Sequence, residues 1–246
     1  MIYLIFFAIA TIIIAIASIF AYPYYLIVRK FNKKKGDRFA LRFVQLGFRF
    51  WAFSVGARAL YKGLEYLPED GDAVVFVSNH RSLFDVILIY PAFKGLTGAL
   101  AKIELKSYPL ISWWITSVYS VLLDRKDHRQ GLKCVLQCVD HLKNGISMLV
   151  YPEGTRSRTE GELLPFHNGT FKIATKAGVR IIPVAINGTG DIFDDHKPFF
   201  KPHRAVIEFC EPIETKSLTQ QEISDLPDRV KNVIQKHMKQ NASEAI

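Results

Sequence analysis

The chain has 246 residues, 49% of them hydrophobic and 22% charged, with 32 Lys and Arg against 23 Asp and Glu. That length permits one domain with a real core, or one domain plus an anchor; the apolar content excludes disorder, and three cysteines cannot staple a disulfide scaffold. A formal net charge of +9 calls for an anionic partner, and where the charge sits says which.

Residues 1–28 carry no charged side chain and are long enough to cross a bilayer core of about 30 Å. Arg29, Lys30, Lys33, Lys34 and Lys35 follow, and residues 29–49 hold eight basic side chains against one acid, Asp37. Residues 50–246 hold 24 basic and 22 acidic residues, so most of the excess is one patch. Positive charge beside an apolar span favours the cytoplasmic side and anionic headgroups. A cleaved signal peptide is the alternative, with Ala15-Ile16-Ala17 as its cleavage site; the missing basic n-region and the apolar sequence beyond Ala17 argue against it. Pro23 interrupts the run, so a kinked or re-entrant anchor stays open beside a straight span.

Residues 38–60 have helical periodicity, with Arg38, Arg42, Gln45 and Arg49 on one face and Phe39, Phe43, Phe48, Phe50, Trp51 and Phe53 over much of the rest. A narrow basic stripe on an aromatic helix suits a membrane interface. Residues 1–62 are thus assigned to an N-terminal membrane anchor and 63–246 to a soluble domain. In that domain the pattern predicts strands at 73–78, 98–101, 121–124, 147–151, 180–186 and 205–209. Helices are predicted at 83–93, 128–142, 169–177 and 220–240, the second burying Leu132, Val135, Leu136, Val139 and Leu142. Pro183 hints that its strand is an edge or bulged. Strands alternating with helices imply an α/β domain.

Two constellations come directly after predicted strands, where α/β domains place their sites. In Ser78-Asn79-His80-Arg81-Ser82-Leu83-Phe84-Asp85, a carboxylate in the first turn of a helix can accept from one imidazole nitrogen and leave the other as a base. A capping box from Ser82 to Asp85 is the alternative. A nucleophilic Ser82 is disfavoured, because it shares a short turn with His80 and triads collect their members from separate elements. In Tyr151-Pro152-Glu153-Gly154-Thr155-Arg156-Ser157-Arg158, Gly154 permits close backbone approach, two hydroxyls stand ready, and Arg156 and Arg158 offer forks suited to phosphate oxygens. A phosphomonoester pocket and a solvated polar loop both remain open.

Asn79-His80 with Ser82 and Asp85, followed by Tyr151 to Ser157, resembles the glycerolipid acyltransferase family, which includes the 1-acyl-glycerol-3-phosphate acyltransferases. Val121-Leu122-Leu123-Asp124-Arg125 resembles the family's second motif and Ile181-Ile182-Pro183-Val184-Ala185-Ile186 its fourth. Lys102, Glu104-Leu105 and Leu164-Pro165-Phe166-His167-Asn168-Gly169 also fit. The resemblance covers residues 70–210. It implies an α/β fold with a mixed sheet flanked by helices, and acyl transfer to the hydroxyl of lysophosphatidic acid from a thioester of coenzyme A or acyl carrier protein. His80 is then the base, supported by Asp85, with no covalent acyl-enzyme. Glu153, Gly154, Thr155, Arg156 and Ser157 help bind the glycerophosphate, and Arg125 and Lys102 contribute charge. The fourth motif, including Pro183, shapes the acyl-donor site. The implied partners are the bilayer, the lysophospholipid, the acyl thioester and its carrier, with no cofactor, metal or nucleic acid. The alternative acceptors are glycerol 3-phosphate, another lysophospholipid or a phosphate-free lysolipid.

Two departures stand out. Ser112 and Ser120 replace glycines common in the family's second-motif region, and His167 replaces a common lysine. Cys134, Cys138 and His141 share a helical flank but lack a fourth metal ligand. Asp191, Asp194 and Asp195 read as a solvated acidic turn. A non-catalytic protein that holds anionic membrane through its basic helix is the alternative from another class.

Overall fold

The structure, a computed structural model, describes residues 1–124 and 127–245. Its strands are β1 (Arg58–Lys62), β2 (Val75–Ser78), β3 (Thr97–Lys102), β4 (Val121–Leu123), β5 (Ser147–Val150), β6 (Ile181–Asn187) and β7 (Arg204–Phe209). They join in one sheet of order β1-β7-β6-β2-β5-β3-β4, parallel throughout except for the β6–β7 pair. Every residue of β2, β5 and β6 is buried, as parallel strands covered on both faces must be.

The period-2 alternation divides the core. Phe76, Leu149, Ile182, Val184 and Ile186 face one layer, formed by α1 (Ile2–Phe31), α2 (Lys33–Ser54), α3 (Phe84–Ile89) and α4 (Pro109–Ser117). Val75, Val77, Met148, Val150 and Ile181 face the other, formed by α5 (His128–Lys143), α6 (Gly169–Ala177) and α7 (Gln220–Asn241). Local chemistry sets the helix ends. The Asp127 carboxylate accepts from Arg129 N and Gln130 N to start α5, Thr219 and Glu222 form a capping box at α7, and Gly178 closes α6 at a φ of 66°.

Four details depart from the sequence reading. The helix expected to reach residue 60 stops at Ser54; Gly56, at a φ of 70°, turns the chain into β1, which pairs with β7. The sheet thereby takes up residues 58–62 of the segment assigned to the anchor. Pro183 lies in an interior strand, not an edge. The bulge half of that expectation holds: its carbonyl accepts from Cys210 N, and between the Ile181–Ile213 and Val184–Phe209 pairs two residues of β6 face three of the chain after β7. In α5, Cys134 and Cys138 are buried with Val139 and Leu142, while Leu132 and Leu136 are exposed. Finally, much of the polar stripe of α2 meets protein rather than headgroups. Arg38 pairs with Asp70 at 3.5 Å, Gln45 donates to the carbonyls of Tyr90 and Phe93, and Arg49 donates to that of Pro91.

Helix α1 runs through Pro23 without interruption. Among the described residues it is the one helix long and apolar enough to cross a membrane, with a mean hydropathy of 2.8 in its best window. One side rests on the domain: Phe7 packs on Trp51 and Phe200, Tyr22 stacks on Trp113 at 4.8 Å, and Ser18 accepts from the Trp114 indole at 3.0 Å. The other side leaves Ile5, Ile9, Ile12, Ile16 and Phe20 exposed. A buried carboxylate locks the α1–α2 bend: Asp37 accepts from Arg29 Nε at 3.0 Å and from the Tyr119 hydroxyl at 2.6 Å. Asp37→Ala is expected to lower unfolding stability by about 2 kcal/mol, because it strands two donors at a buried junction; denaturant unfolding checks this.

Candidate active site

The C-terminal ends of β6, β2 and β5, adjacent at the sheet centre, carry the site. After β2 the chain turns through residues 79–83 into α3, and the Asn79 amide fixes the start of that turn. Its Nδ2 donates to Ile186 O at 2.8 Å, and its Oδ1 accepts from Ile186 N at 2.9 Å, tying the turn to β6.

Asp85 is completely buried and organises the remainder of the turn. Its Oδ2 accepts from Arg81 N at 2.8 Å and Ser82 N at 2.9 Å, and lies 2.7 Å from His80 Nδ1. Its Oδ1 accepts from the Thr189 hydroxyl at 2.5 Å. Asp85 thus orients the imidazole and makes half of the expected capping box, through Ser82 N; the other half is not formed, because Ser82 Oγ accepts from Phe84 N and Asp85 N donates to the Ser82 carbonyl. With a proton on Nδ1 directed at Asp85, Nε2 keeps its lone pair. The Tyr151 ring stacks on the imidazole at 4.1 Å and 20°, fixing its plane. Burial, reinforced by the nearby Asp85 charge, raises the Tyr151 hydroxyl well above its ordinary range, so it stays neutral.

Ser82 directs its hydroxyl away from the imidazole: Oγ donates to Asp194 Oδ2 at 2.6 Å and accepts from Phe84 N at 3.1 Å. Glu153 is buried, and both its oxygens are committed to backbone, Oε1 to His80 N at 2.8 Å and Oε2 to Leu164 N at 2.9 Å. It braces the turn at residues 79–83 from the end of β5. Burial raises its carboxyl above the ordinary range, against the lowering effect of those two donors. Ser157 N donates to His80 O at 2.8 Å, closing the same brace. Gly154 turns at a φ of 68°, and a Cβ there would come within 3.1 Å of the His167 ring. Thr155 and Arg156 are exposed.

Lys102 is exposed at the end of β3, in register with Leu123 of β4. Arg125 lies outside the described residues. Pro183 is buried in β6 beside Val77 of β2. Among the described residues no group of three or more His, Cys, Asp and Glu could hold a metal ion.

The segment after β6 is what sequence reasoning missed. Thr189 anchors Asp85, the buried Arg81 guanidinium pairs with Asp195 and donates to Ser157 O at 3.4 Å, and Asp194 reaches Ser82. The acidic turn is thus part of the site, and its signal was hidden because its partners lie more than 100 residues away in the chain.

A part-exposed imidazole paired with a fully buried carboxylate at the strand ends of a mixed sheet, beside an arginine-bearing turn, makes a candidate active site on an α/β scaffold. The Acyltransferase family matches residues 58–187, and the chain belongs to that family. It is 35% identical over 160 residues to a chloroplastic 1-acyl-sn-glycerol-3-phosphate acyltransferase of Brassica napus, covering 63% of this chain and 46% of that protein. It is 28% identical over 180 residues to the human 1-acyl-sn-glycerol-3-phosphate acyltransferase alpha, covering 72% and 62%. The match thus spans about half the length of these curated relatives. The fold is similar to the crystal structure of PlsC, the 1-acyl-sn-glycerophosphate (LPA) acyltransferase from Thermotoga maritima: TM-score 0.83, 27% identity, 97% of this chain and 94% of that one.

Glu153→Gln removes one of the two acceptor oxygens and strands a backbone N–H. The expected result is a stability loss of about 1–3 kcal/mol in denaturant unfolding.

Proposed function

We propose that this protein transfers an acyl group from an acyl thioester to the sn-2 hydroxyl of lysophosphatidic acid, forming phosphatidic acid. The observation that carries the chemistry is the His80 Nδ1–Asp85 contact of 2.7 Å inside a fully satisfied buried carboxylate site. The choice of acceptor is supported by the names of the relatives and of the fold neighbour.

His80 Nε2 takes the proton of the acceptor hydroxyl as its oxygen attacks the thioester carbonyl carbon. Asp85 stabilises the imidazolium that forms. The tetrahedral intermediate expels the thiolate, the C–S bond breaks, and the imidazolium returns the proton to sulfur. No covalent acyl-enzyme forms: a thioester is activated enough for direct attack, and the Ser82 hydroxyl is engaged by Asp194. Glu153 and Ser157 act as braces on the backbone of His80, while Thr155, Arg156, Arg125 and Lys102 serve the glycerophosphate. The donor is a thioester of coenzyme A or acyl carrier protein.

The enzyme sits on the membrane through its N-terminal helical pair. Because α1 is fastened to the domain near both ends, the pair dips its exposed apolar face into one leaflet instead of rising as a straight span. Lys33, Lys34 and Lys35 at the bend hold anionic headgroups, which favours the cytoplasmic leaflet.

With the purified full chain, acyl-CoA and acyl-carrier-protein thioesters are offered in parallel to lysophosphatidic acid, glycerol 3-phosphate, lysophosphatidylcholine and monoacylglycerol. Phosphatidic acid from lysophosphatidic acid is expected to dominate, and His80→Ala should lower the rate about 10³-fold. Full activity in that variant would refute the mechanism. Intact-mass spectrometry with donor alone should show no acylated protein. For the membrane, Lys33→Glu with Lys34→Glu and Lys35→Glu should weaken binding to anionic vesicles at least tenfold, with a reduced dependence on salt; vesicle co-sedimentation checks this.

A further inference from the structure

We infer that the cluster of Arg156, Lys197 and Asp194 is a phosphate-exchange site, in which Asp194 is an internal counter-ion that yields both cations to the acceptor's phosphate. Lys197 is thereby a further phosphate-contacting residue. The inference rests on the proposed phosphate-bearing acceptor and assigns a role to a segment that the known motifs leave out.

Four donors converge on the Asp194 carboxylate. Lys197 Nζ stands at 2.6 Å and Ser82 Oγ at 2.6 Å, with Leu83 N at 3.3 Å and Arg156 Nη1 at 3.5 Å. An ammonium, a guanidinium, a hydroxyl and a backbone amide around one anion are the donor set a phosphate monoester requires. The exposures are unequal. The Asp194 side chain is 7% exposed, while those of Arg156 and Lys197 are 42% and 53% exposed. The carboxylate is held from behind by Ser82 and Leu83, and the two cations reach past it into solvent, where a second anion can meet them. Arg156, 42% exposed and 3.5 Å from the carboxylate, is the more weakly held of the two cations and the first that a phosphate can draw away. The Phe193 ring lies 5.6 Å from the Lys197 ammonium and steadies it. The neighbouring acids are engaged elsewhere: Asp195 pairs with Arg81, and Asp191 faces His196 and His203.

The position also fits. Ser82 links the cluster to the dyad, donating through Oγ to Asp194 and through N to Asp85. In a 1-acyl-glycerol 3-phosphate the reacting hydroxyl and the phosphate ester are on adjacent carbons. Burial pushes the Asp194 carboxyl up, but the Lys197 and Ser82 hydrogen bonds and the Arg156 charge outweigh it and hold it below the usual range. It therefore stays ionised, competes with phosphate for the same hydrogens, and repels the dianion that replaces it.

The test combines calorimetric binding of sn-glycerol 3-phosphate with the KM and kcat for lysophosphatidic acid, using the full chain. Asp194→Asn keeps the side-chain shape and is expected to tighten binding and lower KM about three- to tenfold. Lys197→Met should weaken binding and raise KM about tenfold, and Lys197→Arg should recover most of the loss. The changes should lie in KM more than in kcat, and be smaller for monoacylglycerol. Weaker binding in Asp194→Asn would overturn the inference by showing that the carboxylate only orients the cations. Unchanged binding in Lys197→Met would overturn it as well. If the wild type makes no phosphatidic acid while glycerol 3-phosphate binding follows the expected order, the proposed function fails and the exchange site stands. If turnover occurs without that order, the exchange site fails alone.

Discussion

The structure depends on the burial of one carboxylate. Asp85 has no solvent exposure, and an ion placed there without partners would cost several kcal/mol. Its donors come from two stretches of chain: His80, Arg81 and Ser82 follow β2, and Thr189 follows β6. They can meet only if β2 and β6 are neighbours and parallel, with Ser78 level with Val184. The Asn79 amide then locks the turn to β6, and Glu153 at the end of β5 braces it from the opposite flank. The order β6-β2-β5 is therefore the condition for the site, and the rest of the sheet and both helical layers shield it from water.

The same burial explains a division of labour. Proton transfer tolerates little misplacement, and the dyad is held by a stacked ring, a buried carboxylate and two backbone braces. The phosphate contact proposed above calls for long cationic arms, and Arg156 and Lys197, 42% and 53% exposed, stand at the surface. The charge is divided as well. The bulk of the +9 lies on the helical hairpin, while the remainder of the chain is almost balanced and carries its charges as single placed residues.

How legible each feature was in the sequence depends on how local it is. Asp85 follows His80 by five positions, so their pairing could be read from spacing within one turn. The buried strands β2, β5 and β6 are continuous apolar runs, and α6 ends at a glycine, so all four were visible. Strand β1 was not: Arg58–Lys62 is a partly exposed edge, and its mixed residues continue the helical pattern of α2 until Gly56 breaks it. The acidic turn was misread for another reason. A solvated loop and a loop pairing with Arg81, Ser82 and Arg156 have the same composition, and the difference is made by partners distant in the chain. The buried face of α5 was shifted because cysteine is as readily buried as leucine, and the sheet selected Cys134 and Cys138.

Helix α3 connects membrane attachment to the chemistry. Its first turn carries Asp85, and the carbonyls at its far end and in the turn beyond are held by the hairpin and β1: Gln45 donates to Tyr90 and Phe93, Arg49 to Pro91, and Tyr61 to Leu88. Side chains that looked suited to headgroups are thus committed to the element that bears the dyad. These hydrogen bonds join the N-terminal helices, proposed above to seat the enzyme on the membrane, to the element that follows His80. The contacts of Phe7 with Phe200 and of Tyr22 with Trp113 fasten α1 to the same body, so the hairpin and the His80–Asp85 pair are parts of one packed unit.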